Sequence, residues 1–264
     1  MADIKVFRLT HVGESGGYKA VQSDSVAYQH GEQTELVYGQ ALAPTAGIKK
    51  LLQPDVAWSE AYVARSGIGK ATNLGLYYLA FADTGGAGAN GISVVGDALI
   101  IPATVRCGRS GPAVTSCRAV FLETPTVGTT KLDPPTADHQ YIIGETEVNG
   151  SALDGIDEQE LDFGLEVEFN AGMSGNVSPD TYWITRNAPV CTIRTTDLNV
   201  VKDYLTPAAV NSDALVLKFQ DETAAAGYQY TIGKAYISGS ISNAMGTLTI
   251  AALNATTIVS GASY

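Results

Sequence analysis

The sequence predicts a mainly β protein made of two tandem β-sandwich or barrel-like units, each with one short helix. Apolar and polar residues alternate with a period of two in several short stretches, as in half-buried strands. Segments rich in Gly, Pro, Asn and Ser separate these stretches, as turns do. Landmarks in the first half of the chain also recur in the same order in the second half.

The clearest alternation covers residues 160–169. Apolar Leu161, Phe163, Leu165, Val167 and Phe169 alternate there with Glu160, Asp162, Gly164, Glu166 and Glu168. We expect one strand with an apolar face and an acidic face, the latter formed by Glu160, Asp162, Glu166 and Glu168. The surrounding window 140–170 holds nine carboxylates and no Lys or Arg, so most of the formal net charge of −11 lies in it.

The other elements of the first half follow from composition. A helix is predicted over residues 45–53, since Ile48, Leu51 and Leu52 share one face and Pro54 ends it. Residues 84–91, which are small and Gly-rich, are predicted to form a loop. Strands are predicted over residues 5–12, 36–42, 58–65, 74–81, 99–107 and 114–122.

The second half is predicted to repeat this composition. Residues 171–176 form a hairpin tip, in which Gly172, Ser174 and Gly175 are candidate assembly residues. A helix is predicted over residues 197–205, with Asp197 as its N-cap. Strands are predicted over residues 181–186, 190–195, 215–219, 228–232, 235–241 and 246–253.

Four pairs of landmarks suggest a tandem duplication. Residues 35–39 match 160–164, 48–54 match 201–207, 79–83 match 217–221, and the hairpin 101–121 matches 237–253. Residues 126–138 are rich in Thr and Pro and are predicted to be a linker. The predicted organisation is a first unit over residues 1–125, this linker, and a second unit over residues 139–264.

Composition narrows the class of protein. Apolar residues make up 45% of the chain and charged residues only 16%, so much of the surface is expected to be neutral and suited to contact with other copies of the chain. The acidic balance disfavours tight binding of nucleic acid, which needs Lys and Arg on phosphates. It is compatible with a wall along which nucleic acid slides, because like charges repel.

Membrane and redox features are also predicted. No apolar run reaches the length of a membrane span, and the N-terminal residues lack the apolar core of a signal peptide, so we expect synthesis in a cytoplasm and no membrane partner. Reduced, buried cysteines are the favoured prediction. Cys107 and Cys117 flank a turn-rich segment and could instead face each other, while Cys191 is alone.

No enzyme is predicted. Gly13, Ser15 and Gly17 fit the G-x-S-x-G string, but no helix pattern follows it, so a glycine-rich turn is favoured. Glu166 and Glu168 would lie about 7 Å apart on one strand face, as in some glycosidases. Neither an aromatic-rich sugar cleft nor a source of a raised carboxyl pKa accompanies them, and a solvated acidic face is favoured.

No cofactor or metal is predicted. The three histidines are scattered and the cysteines lack zinc-ligand spacing. Asp154, Asp157 and Glu158 could hold calcium together with loop carbonyls, although the fixed-Gly calcium-loop spacing is absent and a solvated acidic turn is favoured.

The acidic stretch 160–169, the hairpin tip 171–176, the helix 197–205 and the closing strands to residue 253 together resemble the tail tube proteins of tailed bacteriophages. The resemblance implies a virion protein that forms rings with copies of itself around an acidic lumen, contacts other virion proteins, and lets DNA pass transiently. Because rings in that family are commonly six-fold, a duplicated chain would form a trimer that mimics a hexamer. The first copy departs from the pattern, with Val37, Gly39 and Ala41 where the second copy has Asp162, Gly164 and Glu166, so its outward face is not acidic.

A second function class stays open. A capsid decoration protein, or a receptor- or glycan-binding tail component, would also be a small β protein without catalytic residues. It would carry the acidic face on its exterior and form a monomer or a compact trimer.

Overall fold

Over the residues that the structure describes, the protein is mainly β, as predicted, and contains one short helix. Seventeen strands form one large antiparallel sheet, and two further pairs form separate two-stranded sheets. Among the described residues, no helix is long and apolar enough to cross a bilayer. The computed structural model describes residues 7–14, 17–19, 25–29, 34–38, 44–49, 54–60, 72–83, 92–128, 141–171, 179–206, 210–221, 227–253 and 258–261.

All of the predicted strands overlap observed strands, but several short observed strands were not predicted, and residues 228–232 and 235–241, predicted as two strands, lie in one continuous strand. In the first half they are β1 Phe7–Glu14, β2 Gly17–Lys19, β3 Ala27–Gln29, β4 Thr34–Tyr38, β5 Pro44–Lys49, β6 Asp55–Glu60, β7 Thr72–Asp83, β8 Ile92–Gly108, β9 Val114–Phe121 and β10 Thr126–Gly128. In the second half they are β11 Tyr141–Ile143, β12 Glu147–Val148, β13 Ser151–Ala152, β14 Ile156–Asp162, β15 Leu165–Ala171, β16 Pro179–Asn187, β17 Val190–Thr195, β18 Asn211–Asp221, β19 Gly227–Ser242, β20 Met245–Ala252 and β21 Ile258–Gly261.

One order of strand pairing occurs twice. In the first half the neighbours run β3-β6-β9-β8-β7-β1. In the second half they run β14-β17-β20-β19-β18-β12. A short strand also pairs with the fourth member of each series, β10 with β8 and β21 with β19. Each half further contains a separate hairpin, β4-β5 and β15-β16, so the pairing pattern repeats along the chain.

A single strand pair joins the two halves within the described residues. β14 lies along the last part of β8, with Leu161 opposite Val105 and Asp162 opposite Thr104. The large sheet therefore continues from one half into the other. The division into two sandwich units with a linker at 126–138 stays a prediction, and the first three residues of that segment form β10.

The predicted first helix is wrong over residues 45–49, which belong to β5. Ile48 lies opposite Glu35 of β4, so the segment is half of a hairpin. Thr45 and Ile48 are β-branched, and the neighbouring strand offers backbone hydrogen bonds that outweigh a weak helical spacing. Residues 50–53 and the predicted loop 84–91 lie outside the described residues.

Two of the four landmark matches are wrong in the same region. Residues 35–38 belong to β4, whose counterpart in the pairing order is β15 and not β14, and residues 48–49 form strand where 201–204 are helical. The other two matches agree with the pairing. Residues 79–83 and 217–221 end β7 and β18, which are counterparts, and the matched hairpins are β8-β9 and β19-β20.

The predicted second helix is confirmed. It comprises α1, Leu198–Val201, followed by one 3-10 turn, Lys202–Tyr204. The Asp197 side chain caps it by accepting a hydrogen bond from Val200 N at 3.4 Å. The helix packs closely on β19, since a Cβ at Gly239 would lie 2.9 Å from the Val201 carbonyl oxygen.

All three cysteines are buried, reduced thiols. Their positions in the hydrophobic core show why Cys107 and Cys117 do not meet. Cys117 lies opposite Pro102 and packs in a first-half cluster around Trp58 and Phe121. Cys107 lies opposite Gln159 and packs in the cluster of the second half. The alternative in which Cys107 and Cys117 face each other is therefore wrong, and the favoured prediction of reduced thiols is confirmed.

Candidate functional site

The acidic stretch 160–169 is two strands and not the single strand that was predicted. β14 ends at Asp162 and β15 begins at Leu165. Gly164 turns the chain at φ +56°, and a Cβ there would lie 2.1 Å from the Ala188 carbonyl oxygen. Gly164 N donates a hydrogen bond to Asp162 Oδ1 at 2.8 Å, which closes the turn. The alternation continues through the turn because Phe163 is buried, so the sequence pattern does not reveal the break.

The break divides the four predicted acidic-face residues between two sheets. Glu160 and Asp162 lie on β14 in the large sheet, whereas Glu166 and Glu168 lie on β15 in the two-stranded sheet. The side chains of Glu160 and Glu166 are 42% and 59% exposed. All four carboxylates therefore contact solvent, as expected of an acidic face, but they do not form one continuous row.

Arginines from other strands lie beside the acidic residues of β14. Arg106 of β8 forms an ion pair with Glu158, and its Nε is 3.9 Å from Glu160 Oε2. Arg194 of β17 approaches Glu158 at 3.6 Å. The window 140–170 has no basic residue, yet its neighbours in the sheet supply them, so the local field is weaker than the sequence suggests.

The β15-β16 hairpin also pairs its acidic residues. Glu166 accepts a hydrogen bond from Arg186 Nη1 at 2.8 Å, and Glu168 accepts one from Trp183 Nε1 at 3.0 Å. Each partner lies directly opposite its carboxylate in the strand register. Neither partner was predicted from the sequence, although the predicted hairpin tip at 171–176 was a signal, because it brings residues 182–187 across from 165–169.

The predicted assembly residues cannot be placed. Gly172, Ser174 and Gly175 lie outside the described residues, and their role stays a prediction. The pairing of β15 with β16 confirms that a hairpin surrounds them. In the middle of β16, Trp183 and Ile184 are 47% and 41% exposed, which are large values for apolar side chains.

A cleft of about 570 Å³ lies between the β15-β16 hairpin and residues 101–103 of β8. Its lining combines apolar residues with two residues of each charge. Of its arginines, Arg186 pairs with Glu166, and Arg118 pairs with Asp55 at 2.6 Å. The lining residues are Ile101, Pro102, Ala103, Arg118, Asp162, Gly164, Leu165, Glu166, Val167, Phe169, Arg186, Ala188 and Val190.

The acidic turn before β14 is held by protein groups. The Asp154 carbonyl oxygen accepts a hydrogen bond from Thr195 Oγ1 at 2.6 Å, and that of Asp157 accepts one from Arg109 N at 2.8 Å. Glu158 points to the two arginines described above. Within the part of the chain that the structure describes, no three His, Cys, Asp or Glu side chains are grouped to hold a metal ion.

The cysteines near this region are poorly suited to react as thiolates. Burial raises the pKa of Cys191 far above its ordinary value, and the charge of Glu160 raises it further. Burial also raises the pKa of Cys107 to about 11, against a smaller opposing effect of a backbone hydrogen bond from Ile143. Both thiols stay protonated at neutral pH, which agrees with a structural role.

The G-x-S-x-G string at Gly13, Ser15 and Gly17 is only partly described, because Ser15 lies outside the described residues. Gly13 lies in β1 and Gly17 begins β2, which pairs antiparallel with β1. In the described residues the string is thus followed by a strand, whereas a nucleophile elbow requires a helix. In comparisons with known proteins, no family model matches the chain and no curated protein matches it.

Proposed function

We propose that the chain is a structural virion subunit, a tail tube protein of a tailed bacteriophage that assembles into stacked rings around a lumen through which DNA passes. The observation that carries the proposal is the double occurrence of one strand-pairing order, with its two copies joined head to tail by β8 and β14. Two like units in a head-to-tail joint can be extended by further copies, and a heterologous contact closes into a ring when its rotation allows.

The acidic residues support this proposal. Glu160, Asp162, Glu166 and Glu168 are all solvent-accessible and would repel phosphates. Arg106 and Arg186 offset part of that charge. A lumen lined in this way would conduct DNA with little binding, which is the property that passage requires.

Self-association tests the proposal. Sedimentation velocity over a range of protein concentrations should show large species whose subunit number is a multiple of three, as expected of a duplicated chain that mimics a six-fold ring. A single monomeric species at every concentration would contradict the proposal.

A second candidate, a capsid decoration or receptor- or glycan-binding tail module, is favoured by one observation. Trp183 and Ile184 are exposed on β16 beside the cleft, and exposed aromatic residues are enriched at docking surfaces. Under this hypothesis Trp183→Ala would abolish attachment to capsids or host cells while leaving the oligomeric state unchanged. Loss of tube assembly in that variant would favour the tail tube proposal instead.

A further inference from the structure

One edge of β8 is used by two strands, whereas the same edge of its counterpart β19 is used by one. β7 pairs with β8 from Ile92 to Ile100, and β14 then takes Thr104 to Gly108. On β19, β18 pairs as far as Ala235. Within the described residues, no strand pairs with this edge beyond Ala235, while β20 occupies the opposite edge as far as Ser242.

The repeated pairing gives the equivalent positions of the two strands. Asp55, the first residue of β6, is connected through its partner on β9 to Leu99 of β8. Val190, the first residue of β17, is connected in the same way through β20 to Tyr236 of β19. We count five residues onward from Leu99 and from Tyr236, and we skip the extra residue of the β8 bulge between Pro102 and Thr104. Val105 of β8 is then equivalent to Ile241 of β19. The uncovered end of β19 therefore has the same place in its half as the part of β8 that β14 covers.

Burial differs sharply between these equivalent residues. Val105 is 0% exposed, with β14 beside it and Leu161 opposite, whereas Ile241 is 44% exposed. Covering a residue such as Ile241 removes apolar surface from water, which is favourable. Pairing of a further strand with this end of β19 would bury the exposed isoleucine.

The counterpart of β14 is β3. Leu161 lies opposite Cys191 of β17, and Tyr28 lies opposite Val56 of β6 at the equivalent position. A strand that covers the end of β19 in the way that β14 covers β8 would therefore be β3, and a second copy of the chain supplies one.

We propose that β3 of one copy pairs antiparallel with residues 240–242 of β19 in the next copy, in the register that β14 has on β8. Tyr28 then lies opposite Ile241, Gln29 opposite Ser240, and Ala27 opposite Ser242. The contact is head to tail, so each chain offers β19 to one neighbour and β3 to the other. This inference rests on the proposed function for self-assembly, and adds which strands meet and in which register.

Cross-linking tests the register. A chain with Ala27→Cys and Ser242→Cys carries two exposed thiols that the proposed contact would bring within about 5.5 Å between Cβ atoms of neighbouring copies. A short bis-maleimide should convert the assembled protein into a ladder of covalent multimers on a denaturing gel. The control is Ala27→Cys with Ser238→Cys, whose second thiol is exposed but lies about 13 Å away along the strand. It should cross-link at least tenfold less, as should the wild-type protein with its buried cysteines.

A surface variant tests the contact independently of thiol chemistry. Ile241→Asp should keep the wild-type thermal unfolding temperature and reduce association at least tenfold, while Val127→Asp, at another exposed apolar position, should associate as the wild type does. If the wild type assembles but both cysteine pairs cross-link equally, or Ile241→Asp assembles normally, the β3-β19 contact is wrong and the proposed function stands. If the wild type never associates, both are wrong.

Discussion

Val105 of β8 lies directly opposite Leu161 of β14, and both side chains are fully buried. This pair stands at the centre of the strand joint that connects the two halves of the chain. Phe163 follows β14 and is also buried, and its N–H donates to the Ala103 carbonyl oxygen at 2.9 Å. The buried apolar residues of the acidic stretch 160–169 therefore fix it to the sheet.

Truncation of a buried side chain at the joint between β8 and β14 should lower the free energy of unfolding. Leu161→Ala removes a buried side chain from a packed sheet, and we expect the free energy of unfolding to fall by about 2–5 kcal/mol in urea titrations. Leu253→Ala is the matched control, because Leu253 is 46% exposed and should change stability by less than about 0.5 kcal/mol. Equal losses in the two variants would contradict the placement of Leu161.

The turn between β14 and β15 should require glycine. Gly164→Ala places a Cβ against the Ala188 carbonyl oxygen and must also hold a positive φ, so we expect a loss well above the roughly 1–2 kcal/mol of the backbone conformation alone. Gly150→Ala separates the two effects, since Gly150 has φ +75° but open space around its Cβ position. The thermal unfolding temperature should be highest for the wild type, lower for Gly150→Ala and lowest for Gly164→Ala. A higher unfolding temperature for Gly164→Ala than for Gly150→Ala would contradict this prediction.

Reversal of the acidic charges should change how assemblies treat DNA. The triple variant Asp162→Lys, Glu166→Lys and Glu168→Lys should fold and assemble, because these side chains are exposed and the surface ion pair lost is worth about 0–1 kcal/mol. The two exposed hydrogen bonds that are also lost, from Gly164 N to Asp162 and from Trp183 Nε1 to Glu168, are worth about 0.5–1.5 kcal/mol each. Its assemblies should retain DNA in a co-sedimentation assay at low salt and release it at high salt, whereas wild-type assemblies should not retain it.

The matched control for this variant reverses charges elsewhere on the surface. Glu123, Glu145 and Asp203 are exposed and lie outside the acidic stretch. Their triple Lys variant carries the same net charge, and it should retain much less DNA if the lumen is lined by residues 162–168. Equal retention by the two triple variants would remove the special role of the acidic stretch.

Titration of Cys107 should make stability depend on alkaline pH. Burial raises the pKa of its thiol from 9.0 to about 11 in the folded protein, so the unfolded chain loses the proton first. Stability is therefore full below about pH 9 and falls as the pH rises from 9 towards 11, by at most about 1.4 kcal/mol per pH unit. Urea unfolding at several pH values should show a shallower decline for Cys107→Ala, and identical slopes would contradict this titration.

The fold class could be predicted from sequence because alternation of apolar residues survives in most strands. Residues 190–195 form β17 as predicted, and 246–253 form β20 within one residue. The Asp197 helix was also predictable, since its cap and its breaker Pro207 are local signals. The prediction of the first helix was wrong because Ile48 pairs with β4 across the hairpin. The spacing of apolar residues along the chain does not encode such a pairing.

The candidate site was only partly predictable. The exposed carboxylates follow from the alternation, but the break at Gly164 is hidden because buried Phe163 keeps the period of two. Charge compensation was missed because Arg106 and Arg186 lie far along the chain from Glu160 and outside the acidic window. Such partners are set by strand register, and a window of sequence contains no information on it.

Negative-stain electron microscopy of the purified protein over a concentration series tests the central claim, self-assembly as a tail tube subunit, most directly. We expect annuli with an open centre that stack into tubes as the protein concentration rises. Discrete globular particles without a central opening at every concentration would contradict it.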